Sequence, residues 1–158
     1  MREDLFWELM GKFDWKTDST DEVVQLVVEA LAQRSLAEID QCEEMLANKL
    51  YQLDGLEYAQ EIGEQAYQEG TYFSGDYFLY ARCWVIAAGK SLFQQVLSDA
   101  SKMPKDSDFE ALLYVAEKAY ELKTGKTDYN YLPQKNYETY SNKKAWGKTE
   151  EETETLVL

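Results

Sequence analysis

Apolar residues recur along this chain at three- and four-residue steps rather than in alternation, so the elements it predicts are helices. Leu5, Phe6, Leu9 and Phe13 share one face of a first short helix, with Trp7 and Met10 beside them. Ser19-Thr20-Asp21-Glu22 sets a serine three residues ahead of a glutamate, the capping box in which each side chain satisfies the other's free backbone N–H. A second helix is predicted from there, with Val23, Val27, Ala30 and Leu31 inward. Ser35-Leu36-Ala37-Glu38 repeats the signature straight after Arg34, so the intervening turn is very short. Ile39, Cys42, Leu46, Leu50 and Leu53 then keep the helical period up to Asp54-Gly55, where a glycine can adopt a left-handed cap. Leu56, Ala59, Gly63 and Ala66 predict a fourth helix with a face of small residues, ended by Glu69-Gly70.

The fifth helix differs from the others. Ser74 is placed to cap it, and Asp76 lies in its first turn, near the positive end of the helix dipole. Phe78, Ala81, Arg82, Val85 and Gly89 fall on one side, and Tyr77, Tyr80, Trp84 and Ala88 on the adjacent side. A helix apolar over most of its circumference belongs in the middle of a bundle. Arg82 is therefore a lone charge in a buried setting, and it requires acceptors, because an uncompensated guanidinium costs several kcal/mol. Leu92, Phe93, Val96 and Leu97 predict a sixth helix after a bend at Gly89. Ser101 to Asp108, with Pro104, reads as a loop, and Phe109, Leu112, Leu113, Ala116, Ala119 and Tyr120 define the last long helix. Past Lys123 the aromatics Tyr129, Tyr131, Tyr137, Tyr140 and Trp146 are scattered without a period. The fold class is thus all-α: one bundle of six or seven helices over residues 1–123 and an irregular aromatic-rich tail over 124–158. Parts of that tail are expected to lie across the bundle, and its acidic Glu150–Glu154 stretch to be mobile.

Composition narrows the picture. With 158 residues, 45% of them apolar, the chain is long and apolar enough for one domain with its own core. Thirty acidic against sixteen basic residues give a formal charge of −14, nearly all of it before Thr124. Phosphate recognition depends on lysine and arginine releasing counterions, so direct nucleic-acid binding is not expected and a basic protein partner is. The start of the chain lacks the basic and apolar pattern of a secretory signal. The longest apolar run, Cys83 to Ala88, is far short of the roughly 20 residues that cross a bilayer, so the expectation is a cytoplasmic protein away from membranes. Cys42 and Cys83 show no CxxC spacing and read as two reduced, buried thiols.

Phe6-Trp7-Glu8-Leu9, then Asp76-Tyr77-Phe78, Tyr80, Arg82, Trp84 and Gly89-Lys90, together resemble the bacterial domain of unknown function numbered four-two-four-zero, over roughly residues 1–123. The resemblance implies a helical bacterial domain without an assigned activity. That family often carries an acidic pair ahead of the aromatic helix. Here Ser74-Gly75-Asp76 keeps one carboxylate, which argues against two-carboxylate chemistry at that point.

The chain has no histidine, which removes Ser-His and Cys-His nucleophile machinery, the HExxH metal motif and the ligands of helical di-iron proteins. Gly89-Lys90-Ser91 lacks the glycine loop that cradles phosphate. Glu57, Glu61 and Glu64 share a predicted helix face, but in so acidic a chain such a stripe reads as solvated surface rather than a metal site. No cofactor and no metal are expected. Asp76, Arg82, Trp84 and Lys90 form the candidate ligand or partner site, since arginine offers a fixed fork of donors and stacks on aromatic rings. The competing reading is a buried structural ion pair between Arg82 and Glu8 or another carboxylate of the first helices. No nucleophile or general base stands out, so the expectation is a non-enzymatic acidic interaction protein, of the kind that inhibits a basic partner as immunity proteins do. The alternatives are a small-anion-binding or enzyme domain using Arg82 and Lys90, and an adaptor acting through Tyr129 to Leu158. The oligomeric state is open.

Overall fold

The computed structural model describes residues 1–147. Seven α-helices and no strand are present among them: α1 Glu3–Met10, α2 Thr20–Ala32, α3 Leu36–Gln52, α4 Leu56–Ala59, α5 Gly75–Ala87, α6 Lys90–Ser98 and α7 Val115–Thr124. A 3-10 segment, Glu110–Tyr114, leads into α7. The all-α single bundle expected from periodicity is the fold, and α5 occupies its middle. From α5, Phe78, Leu79, Ala81, Arg82, Cys83, Val85, Ile86 and Ala87 are all buried. α3 packs on both α5 and α7, α2 runs along α7, and α6 and the 3-10 segment flank α5. Cys42 and Cys83 are free buried thiols.

Two caps form as the sequence indicates: Ser35 Oγ accepts from the Glu38 N–H and Ser74 Oγ from the Tyr77 N–H, each at 3.1 Å. Ser19 precedes α2 but its hydroxyl accepts no capping bond. The larger departure is the fourth helix, which is a single turn. Gly63 adopts φ +100°, and the Asp106 side chain occupies the space a Cβ there would need. Asp106 Oδ1 accepts from the Glu64 N–H at 2.8 Å, and the Asp106 N–H donates to the Ile62 carbonyl at 3.0 Å. Tertiary bonding to the 103–108 loop thus replaces the helical ladder. Glu57, Glu61 and Glu64 do not share a helix face, and Glu61 pairs with Lys105 at 2.7 Å. Gly55 is not a left-handed cap either, having φ −163°.

α3 needs no such glycine because its last carbonyls find partners from elsewhere. Arg82 donates to the Leu50 carbonyl, and Asn142 Nδ2 to that of Tyr51. A second buried cation, Lys49, is paired with Glu3 at 3.0 Å and lies within 5.0–5.4 Å of the centres of the Phe6, Trp7 and Phe93 rings. The Lys49 ammonium holds the Glu3 carboxyl below the usual carboxylate range.

Residues 125–147 carry no helix or strand and form a strap across the bundle. The acidic Glu150–Glu154 stretch and Leu156–Leu158 lie outside the described residues.

Candidate functional site

Arg82 is fully shielded from solvent. Its Nη1 donates to the Leu50 carbonyl at 2.8 Å and to the Tyr137 carbonyl at 3.0 Å. Nη2 donates to Thr139 Oγ1 at 3.1 Å, and that hydroxyl passes its own proton to the Gly75 carbonyl at 2.7 Å. The guanidinium carbon lies 4.7 Å from the centre of the Phe78 ring, one turn back on α5. Burial pulls its pKa below the ordinary value, and the negative field of Asp54 opposes that pull. The expected Glu8–Arg82 ion pair does not form. Phe6, Leu9 and Met10 take the inward face of α1, which turns Glu8 to solvent, while Arg82 reaches the opposite way, to the end of α3 and the strap. Its acceptors are carbonyls and a hydroxyl, and two of the three lie in a segment without periodicity.

The four residues of the candidate ligand site are not brought together. Asp76 is exposed on the rim of an acidic cleft. Trp84 packs on Trp15, with ring centres 5.1 Å apart. Lys90 is exposed at the start of α6, beyond the far end of α5. Arg82, buried between these positions, presents no surface to an anion.

What Arg82 and two carboxylates do is fasten the strap. Asp54, fully buried just past α3, accepts from the backbone N–H groups of Tyr140 and Asn142 at 3.2 and 2.9 Å and from Trp146 Nε1 at 2.7 Å. These bonds hold Tyr140 at φ +80°, a conformation that a non-glycine residue keeps only when its surroundings fix it. Glu44 accepts from the Tyr131 hydroxyl at 2.8 Å and from the Gln134 N–H. Sequence reasoning missed Asp54 and Glu44 because an aspartate beside Gly55 reads as a turn and a glutamate on α3 as solvated. The one available signal was that a buried Arg82 demands compensation.

The strap also completes a cleft of about 380 Å³ against α3, α5, the 3-10 segment and α7. Glu43, Asp76, Glu117 and Glu138 bring carboxylates to its lining. Tyr80, Tyr114, Tyr129, Tyr131 and Tyr137 bring phenol rings, and no lysine or arginine lines it. Glu43 is only 8% exposed. Burial, with the negative charge of Glu117 and Glu44 adding to it, pushes the Glu43 carboxyl up to about 7.

Fold and site together define an all-helical domain whose acidic cleft is walled on one side by an irregular strap. The family model described as "Protein of unknown function (DUF4240)" matches residues 1–122, and the chain belongs to that family. No curated protein and no solved structure matches the chain. Among the described residues no helix is long and apolar enough to cross a membrane, and no group of three or more acidic or cysteine side chains is placed to hold a metal ion.

Proposed function

We propose that this protein is a non-enzymatic binding protein that engages a basic protein partner, in the manner of an immunity-type inhibitor. The observation that carries the reading is the cleft lining, four carboxylates and five tyrosines with no basic residue, in a chain of net charge −14. A surface of one sign speeds encounter with a partner of the other and disfavours acidic competitors. Carboxylates and phenols without histidine suit recognition better than nucleophilic chemistry.

The test is capture of a basic protein by the immobilised full-length chain, set against an unrelated acidic protein of matched charge. The expected result is one basic protein retained in stoichiometric amount by this chain and not by the control, and released as salt rises from 0.05 to 0.5 M, over which the screening length shortens from roughly 14 Å to roughly 4 Å. Equal retention on both proteins, or retention indifferent to salt, overturns the reading.

A further inference from the structure

Glu43 is a carboxylate in an unusual position. More than nine-tenths of its surface is covered, it lines the cleft, and it makes no hydrogen bond or ion pair with the described residues. Tyr129 lines the same cleft; its hydroxyl is shut off from solvent and lies beside the Asp40 carboxylate without a well-formed hydrogen bond among those residues. Native proteins rarely leave buried polar groups unmatched, because each forfeits the hydration it would have in water. Glu43, more than nine-tenths covered, unpaired and lining this concavity, marks a place for a ligand that supplies donors.

The chemistry of the lining says which kind. A metal ion needs several oxygens converging within a few ångströms, and no such group exists among the described residues. The carboxylates are instead spread around a space whose volume falls in the range of about 300–1,000 Å³ typical of organic-ligand sites. Tyrosine faces between separated carboxylates match a diffuse organic cation, which takes ring quadrupoles and charge-assisted hydrogen bonds at once.

We propose that this cleft binds a guanidinium or alkylammonium head group, delivered by a side chain of the basic partner, with Glu43 as its buried counter-charge and the tyrosines of the lining, Tyr129 among them, as the aromatic walls around it. The proposal rests on the functional reading above for the source of the cation. Arg82 contributes indirectly, since its bond to the Tyr137 carbonyl sets the strap that forms one wall of the cleft.

Protonation of Glu43 gives the site a pH signature. Glu117 from α7 and Glu44 from α3 act on Glu43 directly, Asp76 from α5 and Glu138 from the strap line the same cleft, and Asp40 from α3 lies beside Tyr129. The phenols around it stay neutral in this range. Neighbouring carboxylates raise Tyr80, Tyr114 and Tyr131 above the ordinary value, and burial raises Tyr129 and Tyr137. With its carboxyl near 7, Glu43 is mostly neutral at pH 6 and mostly ionised at pH 8, so cation affinity should rise roughly tenfold across that interval.

The experiment titrates the full-length chain with N-acetyl-arginine amide, N-acetyl-lysine amide and N-acetyl-citrulline amide, the last a neutral isostere of the first, following tyrosine ring resonances by NMR. The proposal expects the two cations to shift resonances of Tyr129, Tyr131 and Tyr137, citrulline to leave them unmoved, and affinity to rise from pH 6 to pH 8. Glu43→Gln should lower affinity at pH 8 about tenfold and abolish the pH dependence, whereas Glu57→Gln should change neither. Folding is not at risk in Glu43→Gln: a carboxyl raised by burial costs stability as pH climbs from the ordinary carboxylate value towards 7, so the amide variant is the more stable at pH 8. Equal binding of citrulline, unchanged binding by Glu43→Gln, or displacement of the cations by millimolar magnesium or calcium overturns the site. Capture of the basic partner unaffected by Glu43→Gln sinks the site and leaves the functional reading standing. Glu43-dependent arginine binding without any captured partner does the reverse.

Discussion

Arg82 carries a full charge where no carboxylate touches it, and its stability rests on dipoles. The Leu50 carbonyl belongs to the last turn of α3, where unsatisfied carbonyls sum to the negative end of the helix dipole, so a cation there is favoured. Replacement by methionine keeps the apolar stem and removes every donor, leaving the Leu50 and Tyr137 carbonyls buried without those partners. Arg82→Met is expected to lower stability by about 2–4 kcal/mol, since each orphaned buried group costs on the order of 1–3 kcal/mol. Arg82→Lys, which can reach only part of the fork, should fall between. Urea denaturation of the three proteins checks the order. A methionine variant as stable as the parent would mean that removing the guanidinium's own desolvation offsets the lost bonds, and the dipole account would fail.

At the scale of elements, the informative case is the segment after α3. Leu56, Ala59, Gly63 and Ala66 have helical spacing, yet the helix stops after one turn because Gly63 turns left-handed against Asp106. Gly70 is also left-handed, at φ +84°, but with open space around it. Gly63→Ala should therefore cost clearly more than Gly70→Ala. The second carries only the backbone penalty, about 1–2 kcal/mol, and the first adds a clash with a bonded side chain. Thermal unfolding of the two variants side by side makes the comparison, and equal losses would show that the 103–108 loop yields freely. Spacing exposed the amphipathic faces of α1, α2, α3 and α7 because a helix burying one stripe must repeat it. It could not expose the break at Gly63, whose cause lies in a residue 43 positions away.

For the whole molecule, the strap decides what the helices mean. The family match ends at residue 122, whereas the acceptors Tyr137 and Thr139 and the donors that meet Asp54 all lie beyond it. A chain ending at Thr124 would leave a buried guanidinium and a buried carboxylate without most of their partners. It would also lose Trp146, which is 4% exposed and stands edge-on to Phe78 at 5.9 Å. Such a chain is expected to lose more stability than Arg82→Met does, and to bind a hydrophobic dye through the uncovered face. Retention of a parent-like melting temperature would show that the strap is an ornament on an independent bundle.

The sequence by itself determined the helices other than the fourth, the central place of α5 and the burial of Arg82, because each follows from a local period or from the cost of hydrating apolar surface, and both are written in neighbouring residues. It also carried the acidic balance on which the functional reading rests. Only the tertiary structure decided where that charge is concentrated, and which groups answer the guanidinium. Those acceptors are backbone carbonyls and a threonine hydroxyl contributed by an aperiodic segment, and every sequence contains such groups at every turn. Nothing beside Asp54 and Glu43 in the chain marks them for burial; chain contacts separated by dozens of residues cover them, and partly cover Glu44, since burial is a property of the folded neighbourhood and not of the residue.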